Sequence, residues 1–276
     1  MDRIRLIASD MDATLLDEQS QLPADFEETI HALAELGIRF APASGRPLYT
    51  LEAMFPTLQD ELVFIGDNGG AIRWKGQNLF TSEMSPEGWR ALNRLTREQG
   101  DIAVLCGLES AYVERPFAVH DAVLRHFYTK IEYVDRLEDV TAPADKFTIY
   151  LPQHNAQQAY DTVYASQRSI YSVAVAGECW VDIMNPGVHK GAALQTLGQL
   201  WGLPSESMMA FGDTYNDAEM LRTAKYGFLM ENGSEPLRQK VPFLAPSHRE
   251  AGVMQVLHRV LAQNGCVCPE DFVPAH

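Results

Sequence analysis

Apolar and polar positions along the chain fall into two outer stretches of one kind and a middle stretch of another. Arg5 to Ser9 is a short apolar run that ends at Asp10, the pattern of a buried strand with polar residues at its carboxyl end. Pro23 then opens a helical pattern with Phe26, Ile30, Leu33 and Leu36 on one face, and Gly37 stops it. Ile38 to Ala43 is a second apolar run leading into Ser44-Gly45-Arg46-Pro47, after which Pro47–Phe55 reads as a helix. Leu62 to Ile65 reads as a third strand, followed by Asn68-Gly69-Gly70. Ala71–Trp74 and Asn78–Phe80, joined by Lys75-Gly76, read as a hairpin.

The middle changes character. A helix is predicted over Pro86–Gln99, with short strands at Ile102–Cys106 and Ala111–Val113 and a helix near Asp121–Tyr128. Lys146–Tyr150 alternates and is rich in β-branched and aromatic residues. Asn155–Gln167 is predicted helical, and Ser169–Ala174 and Cys179–Ile183 extended. This is the pattern of an α+β insert with a mostly antiparallel sheet.

The last third returns to strand–helix alternation. Its elements are a helix Lys190–Trp201, a strand Met208–Phe211 ending in Gly212-Asp213, a helix Asn216–Thr223, a strand Tyr226–Leu229 and a helix Val253–Gln263. Alternation on both sides of the insert implies one parallel-sheet core built from both ends of the chain. The predicted fold is α/β: a doubly wound, Rossmann-like core from residues 1–83 and 185–276, with an α+β cap from 84–184. No internal repeat or low-complexity segment is visible.

Composition narrows the function. The chain has 276 residues, enough for a large core without staples, and 46% of them are hydrophobic. Net charge is −15 and the pI about 4.9. An anionic surface repels polyanions, so neither nucleic acid nor an anionic membrane is an expected partner. No apolar run approaches the ~20 residues of a membrane span. The first residues lack a signal-peptide pattern, and the four cysteines form no metal-like spacing beyond a lone Cys266-x-Cys268. Reduced thiols in a cytoplasmic protein are the expectation. The sequence leaves the oligomeric state open.

Four polar clusters sit where strands end or helices begin, and in open parallel sheets sites form there. They are Asp10-Met11-Asp12-Ala13-Thr14, Ser44-Gly45-Arg46, Lys190-Gly191 and Gly212-Asp213-Thr214-Tyr215-Asn216-Asp217. Each alone reads equally as a turn, a loop or a surface lysine. Together they have the makings of a phosphate site. Two carboxylates two residues apart divide labour as nucleophile and proton carrier. Asp213 converges with Asp10 on a hard cation, which a few carboxylates and substrate oxygens satisfy. Ser44 offers a hydroxyl, the backbone near Gly45 offers N–H groups, and Lys190 offsets repulsion between nucleophile and phosphate.

This constellation resembles the haloacid dehalogenase superfamily of phosphatases. DMDATLLD stands for its D-x-D-G-T motif, ASGRP and HKGAAL for the second and third, and GDTYND matches the fourth in full. NPGVHKGAAL and DNGGAI resemble the Cof-type subgroup, whose large C2-type cap lies between the second and third motifs. The resemblance implies an aspartyl-phosphate on Asp10, acid–base work by Asp12, and phosphoryl contacts from Ser44, Gly45, Arg46, Lys190 and Asn216. It implies Mg²⁺ at Asp10, Asp12 (through its backbone carbonyl), Asp213 and Asp217. It further implies a small phosphate ester as substrate, sugar phosphates foremost. Ala13 departs from the usual Gly, and a slight loop shift is expected to absorb its methyl.

Arg46 is placed either to touch substrate or to brace the loop. Asn68 is read as shaping its turn, and Asp182 as a residue able to point from the cap hinge toward the site. Glu178 and Trp180 are read as structural, His189 as a loop residue, Tyr215 as packing, and the aromatic residues of the insert as core. A phosphomutase or phosphotransferase with the same intermediate, and a catalytically silent phosphate-binding regulator, are the rival functions. A receiver-type phospho-acceptor is disfavoured by the complete fourth motif and the size of the insert.

Overall fold

The structure, a computed structural model, describes residues 1–276. After a two-residue strand, Asp2–Arg3, that pairs only with Cys266–Val267, the first strand of the main sheet, β1 (Leu6–Asp10), is buried at every position. That suits a strand covered on both faces, with no polar side to turn to water. It feeds a tight turn, Met11–Leu15, and then helix α1 (Phe26–Glu35), which buries Phe26, Ile30 and Leu33 and closes at Gly37 with φ +74°. Strand β2 (Arg39–Ala43), helix α2 (Leu48–Ala53) and strand β3 (Val63–Gly66) follow, then the hairpin β4 (Ala71–Trp74) and β5 (Gln77–Thr81). Lys75 and Gly76, both at positive φ, make its two-residue turn.

The second sheet lies between residues 102 and 184. Helix α3 (Pro86–Gln99) starts on Ser85, whose hydroxyl accepts from the Gly88 N–H, and ends on Gly100 at φ +75°. Strands β6 (Ile102–Gly107) and β7 (Ala111–Glu114) precede helix α4 (Asp121–Phe127) and strand β8 (Ile131–Val134). Strand β9 (Ala144–Tyr150), helix α5 (Ala156–Thr162) and strands β10 (Ser172–Val175) and β11 (Trp180–Met184) complete it. The order is β10-β11-β9-β6-β7-β8, antiparallel except for the β7–β8 pair. The helix predicted over Asn155–Gln167 is shorter than expected. It stops at Thr162, and 164–169 forms tighter turns that bury Tyr164 beside Asp101.

The chain returns to the core through helix α6 (Lys190–Trp201), strand β12 (Met208–Gly212), helix α7 (Ala218–Thr223) and strand β13 (Tyr226–Met230). Strand β14 (Phe243–Ala245), helix α8 (Gly252–Ala262) and a two-residue strand, β15 (Val273–Pro274), end it. The nine-stranded sheet runs β15-β14-β13-β12-β1-β2-β3-β4-β5, and its six strands from β14 to β3 are parallel. One apolar cluster on each face of this sheet forms the core, with Phe26, Phe40 and Leu257 on one and Leu194, Leu197 and Met220 on the other. Sequence reading missed β8, β14 and β15 and the short pair Asp2–Arg3 with Cys266–Val267, all four residues or shorter. No helix is long and apolar enough to cross a membrane.

In the central register Ala8 lies beside Ala210 and Asp10 beside Ala43. The carboxyl ends of β1, β2 and β12 therefore lie side by side, and the loops leaving them share one rim.

Candidate active site

Asp10 ends β1 and is buried. Lys190, the first residue of α6, is wholly buried and donates to Asp10 at 2.5 Å and to Asp217 at 2.7 Å. Asp217 is fixed on its other side, where its Oδ2 accepts the backbone N–H groups of Asp213 and Thr214 at 3.1 and 3.2 Å. His189 holds the start of α6 by accepting the Ala192 N–H through Nδ1, so it is a helix cap and not a plain loop residue.

Asp10, Asp213 and Asp217 bring carboxylate oxygens within 4.8 Å of one another. The cost shows in the titration of Asp10 and Asp213. Burial, then the charge of Asp217, pushes Asp10 up to about 7 and Asp213 up to about 6. Burial works against the charge of Lys190, but Asp10 and Asp217 outweigh it and hold the lysine above its ordinary value. One lysine against three carboxylates leaves a net negative pocket of hard oxygen donors, the donor chemistry that suits a small dication.

Asp12 faces away from this cluster. Its carboxylate takes both arms of Arg46, at 2.5 and 3.0 Å, a planar fork on a planar acceptor. Asp12 is 58% exposed and Arg46 only 13%. Ser44 is buried and its Oγ accepts the Arg46 N–H at 3.1 Å. Asn216 is exposed at the rim and accepts from the Thr214 hydroxyl. Tyr215 does not pack as expected. It is 60% exposed and lines the cavity between the two sheets.

The turn between the first two aspartates corrects another expectation. Ala13 sits at φ +58°, ψ +14°, so the loop has not shifted to spare its methyl. The backbone keeps the left-handed conformation that favours glycine, at a cost of roughly 1–2 kcal/mol. Asn232 braces it by donating to the Ala13 carbonyl at 2.9 Å.

A cavity of about 430 Å³ lies between the two sheets. Asp12, Arg46, Asn68 and Asn216 line its core side. Phe127, Tyr128 and Trp180 wall its cap side, so these aromatic residues are both packing and lining. Asp182 does point inward. It accepts from Thr148 at 2.7 Å and from Asn68 at 3.3 Å. Asn68 both shapes its turn, at φ +55°, and reaches the cavity. Sequence reading missed Lys146, which lines the same cavity from β9. Its signal was a lysine at the head of the alternating run Lys146–Tyr150, in a strand whose seven residues are all buried.

A family profile described as haloacid dehalogenase-like hydrolase matches residues 7–257. The chain belongs to that family. Among its relatives, this hydrolase is 32% identical over 262 residues to the 5-amino-6-(5-phospho-D-ribitylamino)uracil phosphatase YbjI of Escherichia coli (strain K12), covering 94% of this chain and 96% of the other. It is 31% identical over 249 residues to the HMP-PP phosphatase of Cronobacter sakazakii (strain ATCC BAA-894), covering 87% and 89%. A crystal structure from Streptococcus mutans UA159 superposes with a TM-score of 0.83 at 29% identity, covering 94% of this chain and 99% of that one. One from Thermotoga maritima, at 19% identity, shares the fold with a TM-score of 0.81, covering 93% and 97%. The Cof-type resemblance and the Rossmann-like fold with its cap therefore hold, and the hydrolase is a phosphatase acting on phosphoric monoesters.

Proposed function

We propose that this phosphatase hydrolyses small phosphorylated metabolites through an aspartyl-phosphate on Asp10, beneath a cap formed by residues 84–184. The observation that carries the reading is the convergence of Asp10, Asp213, Asp217 and Lys190 at the ends of adjacent parallel strands, next to a lidded cavity that Asp12 borders. Asp10 attacks phosphorus and the bond to the leaving oxygen breaks. Asp12 gives that oxygen a proton, then takes one from the water that cleaves the acyl phosphate. Ser44, the Gly45 backbone, Arg46 and Lys190 hold the phosphoryl oxygens, and Asn216 supports them at the rim. Asp10, Asp213, Asp217 and the Asp12 carbonyl would hold Mg²⁺, which when bound supplies positive charge against the phosphoryl oxygens. The donor set fits: three buried carboxylates already share a space that one lysine does not neutralise. The cap excludes water and contacts the leaving group.

The cavity favours one class of leaving group over a plain sugar. Phe127 packs edge-on against Trp180 at 5.0 Å, with Tyr128 at 6.2 Å from the same ring, giving an aromatic wall. Beside it, Asp182, on the same strand as Trp180, and Asn68, from the core, offer hydrogen-bonding atoms. A leaving group with a ring face and donor groups fits both, and the name of the Escherichia coli relative gives such a molecule. Released phosphate across a panel of sugar phosphates and ring-bearing phosphates tests this. The ring-bearing esters should turn over with the higher kcat/KM. Phosphate release with no new phosphorylated product separates hydrolysis from transfer or mutase chemistry. Asp10→Asn should remove turnover, a loss of at least about 10³-fold in kcat, and a variant at wild-type rate sinks the assignment.

A further inference from the structure

The polar interior extends beyond the site just described, into the seam between cap and core. Lys146 of β9 is buried in that seam. Its ammonium donates to the Gly45 carbonyl at 2.6 Å and lies 2.9 Å from Asp67 and 3.9 Å from Asp182. Asp67 and Gly45 belong to the core, whereas Lys146 and Asp182 belong to the cap. Burial works against the charge on Lys146, but Asp182 and Asp67 outweigh it and keep the lysine protonated. Burial, then Asp67, keeps the neighbouring Asp145 carboxyl well above its ordinary range. Lys146 is thus the cation of this cluster.

Gly45 lies between Ser44 and Arg46, in the loop that faces the phosphate. The three successive carbonyls of that loop each have a donor. Ser44 O accepts from Asn68 N and Arg46 O from Asp67 N, both at 2.9 Å. The middle one, Gly45 O, is held by Lys146. Two anchors are therefore core backbone and the third comes from the cap. Holding the carbonyls back fixes where the N–H groups of the loop point, and it fixes Arg46, whose fork holds Asp12.

Building on the phosphatase reading of the site, we propose that Lys146 is a positioning residue that completes the phosphate-facing loop only when the cap is seated, so that cap closure and phosphate binding reinforce one another. The coupling is reciprocal: whatever Lys146 adds to phosphate affinity, bound phosphate adds to closure. No atom of Lys146 needs to touch the reacting groups.

The test compares wild type, Lys146→Met and the double variant Asp67→Asn/Lys146→Met. The double variant removes a buried acid with the buried cation, and so restores the charge balance but not the contact to Gly45. Three readouts apply: thermal melting, kcat and KM for para-nitrophenyl phosphate with Mg²⁺, and hydrogen exchange of the linkers 82–85 and 184–187 with and without inorganic phosphate and Mg²⁺. In wild type, phosphate should protect the linkers. Lys146→Met should lose that protection and about tenfold in kcat, the worth of one charge-assisted hydrogen bond. The double variant should recover its melting temperature but neither kcat nor protection. If kcat and protection return with stability, Lys146 only balances charge and the proposal is overturned. It is overturned equally if phosphate protects no linker in wild type, or if Lys146→Met keeps wild-type kcat and protection. If no form releases phosphate but wild-type linkers are protected and those of Lys146→Met are not, the coupling stands and the catalytic reading falls.

Discussion

Ala13 concentrates the tension between sequence and geometry in one methyl group. The turn from Asp10 to Thr14 needs a left-handed residue there, and alanine supplies it at φ +58°. Ala13→Gly should relieve roughly 1–2 kcal/mol of strain and give back about 0.4–1 kcal/mol as extra freedom in the unfolded chain. The expected net effect is a stabilisation of between about 0 and 1.6 kcal/mol with turnover retained, read by urea unfolding and a phosphatase assay. Ala13→Val should lose more than about 1 kcal/mol, because a β-branched side chain tolerates that conformation poorly. The carboxylates and Lys190 were legible in the sequence because each stands at the edge of an apolar run or the start of a periodic one. Lys146 was not, because KFTIY alternates like a half-exposed strand while all seven residues of β9 are buried. Its second face is covered by the core, and nothing local to the strand records that. The Asp12–Arg46 fork was illegible for a similar reason, since it joins the loops after two different strands.

At the scale of elements, Lys190 owes its place to the residue after it. A Cβ on Gly191 would sit 2.6 Å from the backbone of Glu219, so the first turn of α6 rests directly on the first turn of α7. That contact brings the Lys190 ammonium to Asp217, at the entrance to α7. Gly191→Ala should force the two helices apart, at about 1–3 kcal/mol of overpacking. The lysine moves with its helix, so kcat should fall even at temperatures where the variant remains folded. Wild-type kcat in a folded Gly191→Ala protein would show that the helix contact does not set the lysine. Helices α3 and α6 start and stop where the sequence reading placed them, and both carry an N-cap and a terminal glycine in the left-handed conformation. The strand pairings were less legible, because which strands become neighbours depends on residues far apart along the chain. The sheet order β12-β1-β2 joins both ends of the sequence, and only the repeated alternation hinted at it.

For the whole molecule, two linkers carry the chain into the cap and back, and Asn185 clips them together. Its side-chain amide donates to the Ser82 carbonyl and hydroxyl, both at 3.2 Å, and to the Glu83 carbonyl at 2.8 Å. Asn185→Ala should cost about 1–2 kcal/mol and raise hydrogen exchange at both linkers while leaving the core strands protected. Unchanged linker exchange would show the clip to be idle. The same insertion has a consequence for a chain still being made. Strand β1 pairs with β12 about two hundred residues later in sequence, so Leu6–Asp10 waits with one hydrogen-bonding edge open while the cap is synthesised. Each doubling of an unstructured span adds about 0.6 kcal/mol to the entropy of closing it. A cap that folds as it emerges and clips its own ends shortens that span. The roof of the cavity therefore also sets how long the centre of the main sheet stays exposed to wrong partners during translation, and how cheaply it finds the right one.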